Sequence, residues 1–203
     1  MSRFEPTAPR FPGDPRRPLP DGLAIRAAGP PDVTSIAALA HARDGGEVGT
    51  HSAGLERDLA AIDAGAERAV WVATSRGTVL AFARAARFVR EPDAPSSTAP
   101  SGWYLTGLVV APEHRRRGIG EALTIERIRL LAERTDVIRY FANSRNLATI
   151  ALHDRLGFVE VTRRFTYPGV VFDGGEGVLF ERRITDSDLR SSPLPATLPP
   201  PTR

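Results

Sequence analysis

Apolar and polar positions alternate along this chain in blocks whose periods change from strand-like to helix-like. Residues 103–110 read Trp-Tyr-Leu-Thr-Gly-Leu-Val-Val, aromatic, aliphatic and β-branched, and Pro112, which cannot donate to a sheet ladder, closes the run. That pattern predicts a buried strand. Residues 117–134 carry Ile119, Ala122, Leu123, Ile125, Ile128, Leu130, Leu131 and Ala132 among charged residues and contain no proline. The stretch is too long for a strand and predicts a helix.

The same reading extends in both directions. Residues 23–26 predict a strand, and Gly29-Pro30-Pro31-Asp32 breaks it and opens a helix carrying Val33, Ile36, Ala37, Leu39 and Ala40. Residues 44–49 read as a flexible loop, after which Ser52 can cap a second helix with Leu55, Leu59 and Ile62 on one side. Residues 69–73 and 78–89 flank Ser75-Arg76-Gly77 as a hairpin, and the Pro/Ser/Ala-rich residues 90–101 form a long mobile loop. Residues 137–142 predict a further strand, residues 143–146 cap a helix, and residues 158–165 and 176–184 predict two last strands. Alternating α and β elements predict an α/β fold, a mixed sheet with helices on its faces.

The ends differ in composition. Residues 1–21 hold six prolines, and residues 186–203 hold five among Ser and Thr. Neither segment can bury enough apolar surface to offset its ordering entropy, so both are predicted to be disordered around one domain at residues 22–185. A chain of 203 residues with 41% hydrophobic content suits one core. No apolar run approaches the length of a membrane span, so a soluble cytoplasmic protein is expected. The absence of cysteine excludes disulfides, a thiol nucleophile and a Cys-based zinc site. His41, His51, His114 and His153 lack ligand spacing, and no metal is predicted. Net charge is +3, with basic residues clustered only locally, so nucleic-acid binding is not needed to explain the composition.

The turn between the predicted central strand and helix has chemical content. Arg115-Arg116-Arg117-Gly118-Ile119-Gly120 brings positive charge and small residues to a helix start, where unpaired N–H groups and the macrodipole favour an anion. A P-loop would need Gly-Lys-Ser/Thr here, and a Rossmann turn would want Gly or Ala where Leu123 stands. The turn instead resembles the Arg/Gln-x-x-Gly-x-Gly/Ala signature of the GNAT superfamily of acetyl-CoA-dependent N-acyltransferases, matched by Arg115, Gly118 and Gly120 after Val110 and Pro112. A second segment, from Asn146 through His153 to Gly157-Phe158, is similar to the family's Asn-x-x-Ala-x-x-x-Tyr-x-Lys-x-Gly-Phe, with Thr149, His153 and Arg155 in place of Ala, Tyr and Lys.

The resemblance covers residues 23–184 and implies a GNAT-like, mostly antiparallel sheet whose fourth and fifth strands splay apart. It implies acetyl-CoA as acyl donor, with its pantetheine arm along the main chain of Leu108, Val109 and Val110. Its pyrophosphate would lie on Arg115, Arg116, Arg117, Gly118, Ile119, Gly120 and Glu121, with Asn146 and His153 beside the arm. Asn146 could equally be a plain N-cap. An N–H near Val110 would meet the oxyanion. His153 stands where the family's tyrosine protonates the leaving thiolate; it can serve as that acid or only bond the cofactor or pack. Relatives that acetylate ribosomal proteins carry a glutamate base where this chain has Phe141, leaving Asp44, Glu47, His51 or water. The implied reaction is acetyl transfer to a primary amine of a small molecule or peptide. A non-catalytic acyl-CoA sensor and an O-acyltransferase are the alternatives, and homodimers are common among relatives.

Overall fold

The computed structural model describes residues 18–172 and 175–190. The elements run β1 (Leu23–Ala27), α1 (Val33–Asp44), α2 (Val48–Asp63), β2 (Arg68–Ser75), β3 (Thr78–Phe88), β4 (Gly102–Val110), α3 (Ile119–Ala132), β5 (Val137–Asn143), α4 (Leu147–Arg155), β6 (Val159–Thr162), β7 (Gly177–Arg183) and α5 (Asp186–Arg190). Seven strands make one sheet in the order β1-β2-β3-β4-β5-β7-β6, antiparallel except at β4–β5. The strands and helices expected around the central turn are all present.

Side-chain alternation gives the sheet two apolar faces. On one, Trp71, Ala83, Trp103, Leu105, Ile138, Tyr140 and Phe180 pack with Ile119, Leu123, Ile128 and Leu131 of α3. On the other, Val70, Val72, Phe82 and Val109 pack with Ile36, Ala40, Leu55 and Leu59 of α1 and α2. Helices therefore lie on both faces. Burying a side chain such as Ile36 or Leu123, each fully buried, contributes roughly 1.5–3 kcal/mol. At the β5 end of this second face no helix intervenes. There Tyr104, Ala99 and Leu179 form a separate cluster with Phe88, Phe141, Phe165 and Tyr167.

One junction fixes the placement of α1. Asp32, 4% exposed, accepts two bonds from the Arg26 guanidinium at 2.7 and 2.8 Å and one from the Gly29 N–H at 2.9 Å. The Arg26 bonds hold its carboxyl below the usual aspartate range despite burial.

Four local expectations need correction. Helix α2 begins at Val48 with Glu47 at its N-cap, because Gly45 and Gly46, at φ 69° and 77°, reverse the chain within three residues. Strand β6 ends at Thr162, after a register slip between Glu160 and Thr162, and Phe165 turns into the aromatic cluster instead. Residues 90–101 are tied down by Arg90 to the carbonyls of Ala94 and Pro95, by Ala99 N–H to Thr166 O and by Thr166 N–H to Ser97 O. Finally, residues 186–190 are helical: Asp188 accepts from the Thr185 N–H and from Arg182, both at 2.8 Å. Those bonds cap the turn that composition alone assigned to a disordered tail. The remainder of both predicted tails, residues 1–17 and 191–203, lies outside the described residues.

Candidate functional site

The β4–β5 boundary opens in the middle of the sheet, and the β3–β4 boundary beside it carries a bulge. Strands β4 and β5 pair only at Trp103–Ile138 and Tyr104–Arg139, then separate. The register against β3 slips between Ala83 and Arg84, so that Gly107 is the extra residue of a bulge, at φ 51°. Gly107 is exposed although its strand is central, and Thr106, Leu108 and Val110 are half-buried. A glycine inside an apolar run is the sequence signal for such a bulge, and it passed unread.

Beyond the bulge, the Ala111 N–H donates to Leu80 O of β3 at 2.9 Å. Alternation along the strand then turns the main-chain groups of Val109 toward β3 and those of Leu108 and Val110 into the gap. The Val110 carbonyl takes a bond from Arg115 Nε at 3.2 Å.

The turn that follows is built by backbone geometry. Pro112–His114 forms a 3-10 turn, Arg115 is extended, and Arg116 adopts φ 64°. Gly118, at φ 81°, is the N-cap of α3, with no side chain capping the helix start. Gly120 has a different job: a Cβ there would meet Leu108, Val110 and Leu152 at 3.5–3.8 Å, so its bare face looks into the gap between β4 and α4. Ile119 is buried, and Glu121 lies 3.7 Å from Arg155. Arg117 donates from Nε to Pro18 O at 3.0 Å, and Leu19 reaches within 3.3 Å of the place a Gly118 Cβ would occupy. Residues just before β1 thus lie against the turn, a contact with no local sequence signal.

Asn146 caps α4, its Oδ1 accepting from the Thr149 N–H at 3.2 Å. Two helical turns on, His153 is 3% exposed and stacks on Tyr140, with ring centroids 3.8 Å apart. Its Nδ1 lies 2.9 Å from Thr149 O, and a carbonyl only accepts, so Nδ1 carries the proton and Nε2 the lone pair. Burial, with the Arg127 charge adding to it, lowers its pKa to about 3. At neutral pH that burial favours the uncharged imidazole.

Arg127 is a second buried group that sequence reading missed. It is 1% exposed and donates to Arg84 O at 3.1 Å and Thr124 Oγ1 at 2.9 Å, with Nε unpaired. It supports the Arg84 carbonyl at the β3–β4 register slip.

Two of the three candidate bases already have partners. His51 donates from Nε2 to Gly45 O and His41 from Nδ1 to Gly46 O, both at 2.7 Å, locking the α1–α2 link. Asp44 accepts from Arg43 Nε at 2.7 Å, and Glu47 is exposed. Phe141 lies in the aromatic cluster, as its position on β5 requires.

Among the described residues no group of three or more His, Asp or Glu side chains could hold a metal, and no helix is long and apolar enough to cross a membrane. An open cavity of about 540 Å³ lies away from the gap, lined by Ile128, Arg129, Arg155, Arg182 and Asp188 among others; Arg129 and Arg182 there already pair with Glu126 and Asp188.

Comparison with known sequences decides the family. The sequence model of the Acetyltransferase (GNAT) family matches residues 36–158, from α1 through α4. The chain belongs to the GNAT acetyltransferase family. No curated protein matches it. Solved GNAT structures share its fold. Ribosomal-protein-alanine N-acetyltransferase from Brucella melitensis has TM-score 0.59 at 22% identity, over 79% of this chain and 99% of that one. A putative acetyltransferase from Salmonella typhimurium, solved with its cofactor acetyl-CoA, has TM-score 0.59 at 20% identity, over 82% and 96%. An N-acetyltransferase from Thermoplasma acidophilum in complex with coenzyme A has TM-score 0.58 at 14% identity, over 80% and 99%.

Proposed function

We propose that this GNAT protein transfers an acetyl group from acetyl-CoA to a primary amine by direct attack. The observation that carries the reading is the parting of β4 from β5 after two residue pairs, with the glycine-capped start of α3 at the mouth of the gap. The residues present fit the donor. The uncapped α3 N-terminus and the arginine-rich turn suit a diphosphate, and Leu108 and Val110 offer main-chain groups in the gap to an amide-bearing arm. Solved relatives hold acetyl-CoA or CoA, and one is a ribosomal-protein-alanine N-acetyltransferase.

Acetyl-CoA supplies a thioester carbonyl. In the reaction an N–C bond forms, the C–S bond breaks, and a proton lost by the amine ends on the sulfur. The chain aligns the partners and presents the Leu108 or Val110 N–H to the developing oxyanion. His153 holds rather than donates: its Nε2 lone pair can accept a bond from an N–H of the arm, while Nδ1–H stays on Thr149. The proton then travels through water.

Calorimetry with acetyl-CoA, followed by thiol release with a panel of amines, tests the reading; no binding at millimolar acetyl-CoA sinks it. The neutral, buried His153 and the arginine-paired Asp44 also favour a second reading, a module that binds acyl-CoA without turnover. Thiol release with any amine excludes that one.

A further inference from the structure

The aromatic cluster lies where an acceptor would have to approach. Tyr104 is the last β4 residue paired with β5, and Phe141 stands two residues past the last paired position of β5. Continued pairing would set Phe141 opposite Thr106, the residue before the bulge. Tyr104 and Phe141 face away from α3, because their neighbours Trp103, Leu105, Tyr140 and Ala142 pack on the α3 side. With the donor's arm and diphosphate assigned to the α3–α4 side, this opposite face is the open approach to the same carbonyl.

What lines it is a set of rings. Tyr167 is the hub, its centroid 4.7 Å from Phe141, 4.8 Å from Phe88 and 5.2 Å from Tyr104; Phe165 and Phe172 complete the wall. Tyr104 is fully buried with its hydroxyl on Pro100 O, while the other five rings are only half-buried and keep surface for a ligand. Carboxylates nearby are already used. Glu181 pairs with Arg139 at 3.3 Å, and Glu160 and Glu176 both pair with Arg163. A polyamine or aminoglycoside brings several cations, and among the described residues the carboxylates of β6 and β7 beside these rings already hold arginines. A single amine on a flat apolar group finds rings at offset and edge-to-face distances. Thr98–Thr166 bridging closes the far end of the face, which limits the acceptor's length.

We infer that the acceptor is a small arylalkyl amine, an aromatic ring carrying a primary amine on a short chain, with the ring seated against Tyr167 and Phe141 at the divergence of β4 and β5. The inference rests on the acetyl-transfer reading and sharpens its acceptor.

The experiment compares kcat/KM, by thiol release from acetyl-CoA, for phenethylamine, spermidine, kanamycin and a hexapeptide beginning with Phe. Phenethylamine should exceed each of the others by roughly tenfold or more. Tyr167→Ala, and the less disruptive, non-aromatic Tyr167→Leu should Ala disturb folding, should raise the phenethylamine KM by about tenfold, with acetyl-CoA affinity by calorimetry unchanged. Equal or better use of spermidine or kanamycin overturns the inference, as does preference for the peptide, or a phenethylamine KM indifferent to both substitutions. Acetyl-CoA binding without turnover of any amine overturns it too. Failure of acetyl-CoA to bind is a different result and removes the acetyl-transfer reading beneath it.

Discussion

The two approaches to the β4–β5 gap are built by different means. At the α3 end, six consecutive residues make the surface: Gly118 supplies a left-handed N-cap, and helix geometry supplies the unpaired N–H groups. On the opposite face the wall is drawn from four separate stretches, around Phe88, Tyr104, Phe141 and residues 165–172. A site made of backbone can be short and shared across a family. A site made of side chains from distant strands can be changed one ring at a time, without disturbing the gap. This is the physical reason one fold carries many acceptors.

Substitutions sharpen that contrast. The largest effect is expected at the backbone end: Gly118→Glu forces a side chain into φ 81° and sets a carboxylate beside the proposed diphosphate site. Acetyl-CoA affinity should fall by about 100-fold or more in calorimetry, equivalent to roughly 3 kcal/mol. Retained affinity would detach the diphosphate from this turn. Next, Gly107→Val places a β-branched residue at φ 51° against the Arg84 side chain. Urea unfolding should report a loss of about 2 kcal/mol, with turnover falling further than stability accounts for because the bulge sets the gap.

His153, on the α3–α4 side of the sheet, gives a pH test. Its folded pKa, about 3, is below the unfolded value near ~6.5. The unfolded chain therefore binds the proton first as pH falls. The stability due to neutral His153 is complete above about pH 6.5 and drains away toward about pH 3, at a slope near 1.4 kcal/mol per pH unit. In His153→Gln the decline between pH 6 and pH 4.5 should be shallower by about that slope, read from urea midpoints. An equal decline in both proteins would mean the ring is solvated. The smallest effect is expected at Leu19, which is 48% exposed over Gly118. Leu19→Ala should change acetyl-CoA affinity by about threefold or less, since half of the side chain is already in water.

The sequence by itself determined the parts that depend on neighbours along the chain. The strand ending before Pro112, the glycine-capped start of α3 and the Asn146 cap of α4 are local backbone rules written in consecutive residues, and each was legible. The period of apolar positions likewise set the order of strands and helices. Only the tertiary structure decided which groups are buried and what they face. A histidine in a family tyrosine's place can read as an acid, a cofactor contact or a packing residue, and only the structure shows it buried against Tyr140 with Nδ1 on Thr149 O. Phe141 reads as a missing base until Tyr167, twenty-six residues later, packs against it as a tilted ring. Leu19 reads as part of a disordered tail until Gly118 lies beneath it. Burial and long-range contact set proton affinity and surface chemistry, and neither is a property of adjacent residues.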